Sequence, residues 1–374
     1  MKKALLLLLL APLATSLIAK SAENAIAALV AVGPKGEGNA AASKAWPQVA
    51  ALEANKIPTL LAAMNKANGL GQNWLRAAVE VIVERSMENG DKLPGNELKS
   101  FMDDLSNQPV TRRLAYELIE KTAPQRAAKL IPGFIDDPAP ELRRDAVSQV
   151  LEKAATEKSA DLYEKALRAA RDVDQIEASA KALEEAGRKV DLPKVMGFLM
   201  RWKVIGPFDN TDRKGFAVAY PPEKEIDFEA SYPGKKGKVK WSDFSTSDQF
   251  GMVDVNLEFG ELKQVVAYAH TIYESKEARK TQFRLGCKNA WKVWLNGELL
   301  FARDEYHRGM RVDQYLIDAN IKKGKNAILV KLCQNEQEQS WTKQWQFQLR
   351  VTDASGTAVL AANRLPTPKA KANK

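Results

Sequence analysis

The polar and aromatic side chains best suited to hold a ligand are densest in two stretches near the C-terminal end, RDEYHRGMRVDQ (303–314) and QNEQEQSW (334–341). Arg303, Tyr306, His307 and Arg308 stand in the first; Gln334, Asn335 and Trp341 stand in the second. Planar amide and guanidinium groups match the hydroxyls of a carbohydrate, and an aromatic ring lies well against the apolar face of a sugar. These seven are the candidate ligand-binding residues, with ordinary solvated turns as the competing reading. A second candidate is AWKVWLNGELLF (290–301). Its Asn296-Gly297 pair suits a two-residue type I′ turn, because both central positions need positive φ. That turn would pair Trp294 with Leu299, Val293 with Leu300 and Lys292 with Phe301. Trp291, Val293, Leu295 and Leu300 would then face one way, and Trp294, Leu299 and Phe301 the other. Either the second face stacks on a ligand or something covers it; clustered Trp, Leu and Phe are more often buried.

Catalytic chemistry finds no arrangement in the chain. The two histidines, His270 and His307, are not accompanied by a nucleophile-elbow sequence. Asp304 and Glu305 are adjacent, and neighbours on one loop rarely straddle a glycosidic bond. No glycine loop of the mononucleotide or dinucleotide type occurs, so no cofactor is expected. Asp209, Asn210 and Asp212 in FDNTD could offer oxygens to a calcium ion, but the spacing is not that of an EF-hand and an Asx turn accounts for it; no metal site is expected. Cys287 and Cys333 lack metal-like spacing and fall in predicted strands. They could pair if those strands are neighbours, but buried free thiols are the expected state. The reading is a non-catalytic binding or scaffold protein. The competing readings are a purely structural two-domain protein without a small ligand and an accessory or divergent enzyme acting on extracellular polysaccharide.

The elements that would position these residues fall into two blocks. Residues 1–21 read as a signal peptide, with Lys2 and Lys3 before the apolar run Ala4–Leu10 and small residues at Ala19, Ser21 and Ala22, which places the protein in the periplasm or outside the cell. No later segment is long and apolar enough to span a bilayer. The formal charge of +9 falls to about +6 without Lys2, Lys3 and Lys20, and to about +2 without the tail residues Arg364, Lys369, Lys371 and Lys374. The folded body is therefore nearly neutral, and nucleic acid is not an expected partner.

Residues 23–200 carry apolar side chains at helical spacing: Leu75, Ala78, Val79, Ile82 and Val83 in one run, Leu142, Ala146, Val147, Val150 and Leu151 in another, and Tyr163, Ala166, Leu167 and Ala170 in a third. Arg-x-Ala recurs at Arg76, Arg113 and Arg144, and helix pairs at such intervals bury their faces by stacking on one another. DDPAPELRRDAVSQVLEKA resembles the second helix of a HEAT repeat, with Asp137 before it, Pro140 at its start and then Arg144; the copies at 76 and 113 lack the aspartate. The resemblance implies an α-solenoid whose surface binds a protein partner.

After residue 200 the period changes to two. Trp345, Phe347, Leu349 and Val351 alternate with Gln346, Gln348 and Arg350; Val253, Val255 and Leu257 alternate with Asp254 and Asn256; Phe283, Leu285 and Cys287 alternate with Gln282 and Arg284. Short strands without intervening helices predict an antiparallel β-sandwich over 201–363, followed by a basic flexible tail at 364–374. WKVIGPFDN, GFAVAYPPE, KVWLNGELLF, IKKGKNAILVKLCQ and FQLRVTDASG together resemble a galactose-binding-like jelly-roll of the kind found in secreted bacterial proteins. Many members of that fold class bind carbohydrate and others have no known ligand.

Overall fold

A computed structural model of the chain describes residues 20–369; the predicted signal segment up to Ala19 and the last five residues of the tail lie outside the described residues. Helices occupy the N-terminal part and antiparallel sheets the C-terminal part, an α+β arrangement. The chain divides into two compact units, up to Thr156 and from Glu157 onward.

The first unit contains α1 (20–30), α2 (Asn39–Ala50), α3 (Ile57–Met64), α4 (Gly69–Glu88), α5 (Gly95–Asp103), α6 (Pro109–Thr122), α7 (Pro124–Ala128) and nearly all of α8 (Pro140–Glu157). Asn68 starts α4 by accepting hydrogen bonds from the N–H groups of Leu70 and Gly71, which an N-terminal turn would otherwise leave unpaired. The face expected from spacing, Leu75 to Val83, is fully buried. In α8, Leu142, Ala146 and Val147 are buried, whereas Val150 and Leu151 are only half-buried.

Two of the repeated arginines link successive long helices. Arg76 on α4 reaches Glu80 at 2.9 Å and Glu117 on α6 at 3.2 Å. Arg113 on α6 takes Glu117 at 3.1 Å and also pairs with Asp145 on α8. Pairs this exposed stabilise little, so their effect is on register. The strong polar contact lies deeper: buried Arg112 makes two hydrogen bonds to Asp137, at 2.8 and 2.6 Å, and donates through Nε to the Met102 carbonyl. Asp137 also accepts from the N–H of Ala139, so one carboxylate both shapes the turn before α8 and neutralises a cation from α6.

The second unit begins with α9 (Ala160–Ala169), α10 (Val173–Glu185) and α11 (Leu192–Met196), so these helices group with the strands although the period changes only at residue 201. The backbone makes the link. Leu199 N–H donates to the Leu349 carbonyl, and Arg350 Nη1 donates to that of Met196. Gly197 ends α11 at φ +83°, and a Cβ there would stand 2.8 Å from the Val351 carbonyl oxygen.

Twelve strands follow: β1 (Arg201–Asp209), β2 (Ser231–Gly234), β3 (Gly237–Lys240), β4 (Ser242–Ser245), β5 (Val253–Asp254), β6 (Val265–Ser275), β7 (Arg279–Cys287), β8 (Ala290–Leu295), β9 (Glu298–Arg303), β10 (Tyr315–Ile321), β11 (Gly324–Gln334) and β12 (Gln346–Thr352). One sheet runs β4-β1-β6-β11-β8-β9, another β10-β7-β12-β5, and β2 pairs with β3 alone. A single apolar cluster takes Trp202, Trp291, Val293 and Val330 from the six-stranded sheet and Phe283, Leu285, Phe347 and Leu349 from the four-stranded one. Cys287 and Cys333 are buried free thiols, on β7 and β11 respectively, and burial pushes the Cys333 thiol up to about 12.

The structure alters three strand readings. The AWKVWLNGELLF hairpin forms with Asn296 and Gly297 at positive φ, but Leu300 is an extra residue: Val293 pairs with Phe301 and Trp294 with Leu299. That bulge turns Phe301 inward, edge-on to Trp291 at 5.3 Å, instead of outward beside Trp294. Next, β5 ends at Asp254, and Asn256–Phe259 forms a short helix, α12, which leaves Leu257 exposed; Asp254 itself accepts from the Asn256 N–H and so starts the turn. Finally, β12 is buried on both faces. Gln348 and Arg350 do not meet solvent, because Asp313 binds the Arg350 guanidinium and Arg284 shares the same carboxylate at 2.8 Å.

The outer face of the six-stranded sheet is also covered, by residues 210–241. Phe216, Tyr220, Tyr232 and Trp241 pack there against Phe208, Tyr268, Leu329 and Trp294. A fully buried Lys331 fastens this cover, donating to the carbonyls of Phe216 (3.2 Å) and Val218 (2.7 Å) and to Glu223 (2.7 Å). Trp294 is therefore half-buried packing beneath the cover and not an open platform.

Candidate functional site

The loop after β9 and the loop after β11 meet beside the turn that follows β1. Asn210, fully buried, donates through Nδ2 to the Tyr306 hydroxyl (3.1 Å) and to the Gln334 carbonyl (2.9 Å), which ties the three segments together. The Arg213 guanidinium lies 5.3 Å from the Tyr306 ring centre and pairs with Glu336, its Nε at 3.1 Å. Beneath these groups the Gln334 side chain is buried; it donates to the Thr342 carbonyl at 3.1 Å and accepts from the Asn335 N–H at 3.1 Å. The loop carrying Trp341 is thus held from inside.

His307 adopts φ +58°, its N–H bonded to the Lys288 carbonyl, and its Nε2 lies 2.7 Å from Asn335 Oδ1. Burial holds its imidazole below the ordinary histidine range, and the Asn335 bond only partly opposes this. A neutral ring at pH 7 follows. Trp341 packs edge-on against that ring, centroids 5.4 Å apart and planes at 88°, yet it is 57% exposed. Lys263 donates to the Thr342 carbonyl at 3.0 Å on the same loop.

Five of the seven residues expected from the sequence therefore form one connected group: Tyr306, His307, Gln334, Asn335 and Trp341. Arg303 and Arg308 do not join it; both are bound by Glu305, at 3.0 and 2.8 Å, and Arg303 lies over Tyr315. The group includes three residues that the two loops alone do not reveal, Asn210, Arg213 and Lys263. They come from segments 40 or more residues away in sequence, and only the pairing of β1 and β11 with β6 brings them in. Gln334 and Asn335 are structural: both are fully buried, and their polar atoms are taken up within the loop and by His307 and Asn289. Exposure leaves Trp341, Arg213 and Glu336 as the surface a ligand could touch.

Asp209 Oδ1 accepts from the Thr211 N–H at 3.3 Å, the bond of an Asx turn, and is occupied besides by Thr211 Oγ1 at 2.7 Å and Lys235 at 3.0 Å. Among the described residues no group of three or more His, Cys, Asp or Glu is placed to hold a metal ion. Among them also, no helix is long and apolar enough to cross a membrane.

No protein-family model matches the chain, and no curated protein matches it. Similar solved structures include a β-glucosidase from Kluyveromyces marxianus in complex with glucose, 16% identical over 24% of this chain and 11% of that one, with a TM-score of 0.20. A selenomethionine-labelled form of the β-glucosidase is 9% identical over 79% of this chain and 38% of that one, with a TM-score of 0.26. A GH31 α-xylosidase from Xanthomonas citri is 11% identical over 34% and 18%, with a TM-score of 0.19. The chain spans well under half the length of each enzyme. At scores this low the likenesses identify neither a fold family nor an activity.

Proposed function

We propose that this chain is an exported, non-catalytic binding protein of the periplasm or cell exterior, with a HEAT-like α-solenoid followed by a galactose-binding-like jelly-roll sandwich. The ion-paired succession α4, α6, α8 supports the solenoid reading, and the apolar cluster shared by two antiparallel sheets supports the sandwich. In this reading the helical surface meets a protein partner, and the loop group of the sheets takes a carbohydrate.

The observation that carries the ligand is Trp341. A large ring 57% exposed and braced by a neutral histidine, on the same loop as Glu336, which pairs with Arg213, has the parts that a sugar requires: an apolar face and planar hydrogen-bonding groups in the same loop group. The test is a glycan-array screen of the full chain, with Trp341→Ala and Glu336→Gln as comparison proteins. Binding is expected to weaken by about 2 kcal/mol, roughly 30-fold, on loss of the ring. A folded protein that binds no glycan, or an alanine variant that binds as well as the parent, defeats the carbohydrate reading and leaves a scaffold without a small ligand.

A further inference from the structure

A separate cavity of about 530 Å³ lies among α9, α10, α11 and residues 350–360, within the range of small-molecule sites. Leu167, Ile176, Leu183 and Met196 form its buried floor, while Val195 (37%) and Leu360 (41%) are exposed at its mouth. Among the described residues no aromatic ring lines it to stack on a sugar or a base; methyl and methylene groups suit an alkyl chain.

Its charge is one-sided. Six basic residues line it against two acidic ones, Glu164 and Asp191, and two of the six are neutralised from outside the lining, Arg350 by Asp313 and Arg188 by Asp161. Both acids are already engaged: Glu164 binds Arg188 at 2.6 Å, and Asp191 caps α11 and accepts from Thr367 at 2.7 Å. Lys189 and Lys194, both exposed at the rim, pair with no acid among the described residues. An apolar floor under a rim with surplus positive charge complements a molecule that has a chain and a single anionic head. The chain's own tail reaches this rim through Thr367, but Arg364 and Lys369 on either side of it carry the rim's sign and would not neutralise Lys189 or Lys194.

We propose that this cavity binds an amphiphilic carboxylate of the fatty-acid class, its chain over Leu167, Ile176 and Leu183 and its carboxylate between Lys189 and Lys194. The site is independent of the Trp341 group, and either assignment can fail without the other. Calorimetric titration of the full chain with decanoate, below its micellar concentration, should give saturable one-to-one binding that weakens as salt is added. Decyltrimethylammonium, with the same chain and the opposite charge, should not bind. Lys189→Glu with Lys194→Glu, two exposed positions, should weaken decanoate binding by tenfold or more, and Leu360→Glu should weaken it independently. Absent saturation, equal binding of the cationic amphiphile, or unchanged affinity in both variants would overturn the assignment.

Discussion

Single side chains set the conditions under which this protein is stable. His270 lies on β6 with the rings of Phe228 and Trp241 at 5.2 and 6.3 Å, and burial lowers its imidazole to about 4. An unfolded chain binds that proton near pH 6.5, whereas the native one resists it to about pH 4. Its contribution is therefore complete above about pH 6.5 and is lost as pH falls toward 4, up to about 3 kcal/mol in all. His307, lowered for the same reason, acts in the same direction. Urea midpoints are expected to fall between pH 7 and pH 4.5, with a smaller fall in His270→Phe; equal falls in the two proteins would exclude His270 as the cause. The candidate site shows which residue properties can be read in advance. Amide, ring and guanidinium types made loops 303–314 and 334–341 stand out, and Trp341 is indeed exposed. Arg303 and Arg308 had the right chemistry, but Glu305, three or fewer residues away, claims both.

Among the elements, the helical stretches were legible because a 3.6-residue period is a local property: α4 buries the face its spacing predicts. What spacing could not supply was partners. Asp137 stood out as the residue before α8, yet the cation it neutralises is 25 residues away on α6. Asp137→Ala would leave Arg112 charged and buried, and a loss of about 3–5 kcal/mol in unfolding free energy is expected. Chemical denaturation of that variant against Asp145→Ala, which breaks a half-buried pair, separates the two cases; similar small losses would contradict it. The strands were legible in part. Period-two alternation located β7 and β12, and the Asn-Gly turn located β8, but neither says what meets the polar positions, such as Gln348 and Arg350. The second face of β12 and the outer face of the six-stranded sheet are covered, and the covering contacts are too distant in sequence for any pattern to encode.

For the molecule as a whole, the change of composition at residue 201 does not coincide with the limits of compact structure. Helices α9 to α11 belong with the sheets, held through Gly197, Leu199 and the Arg350–Met196 contact. A fragment of residues 157–374 is expected to fold alone. One of 201–363 loses the Met196 acceptor of Arg350 and the Leu199 N–H that the Leu349 carbonyl binds, and should melt several degrees lower. Thermal melts of the two fragments decide this, and equal midpoints would restore the boundary at 201. The extra residue in β9 also bears on how one molecule meets another. β9 is an outer strand of its sheet, with Leu299 half exposed, and an unpaired strand of that kind invites a neighbour to add itself. Leu300 interrupts the row of backbone donors and acceptors and kinks the strand, so an incoming segment would fall out of step after two or three residues. The same insertion that turns Phe301 into the core thus guards the sheet against aggregation.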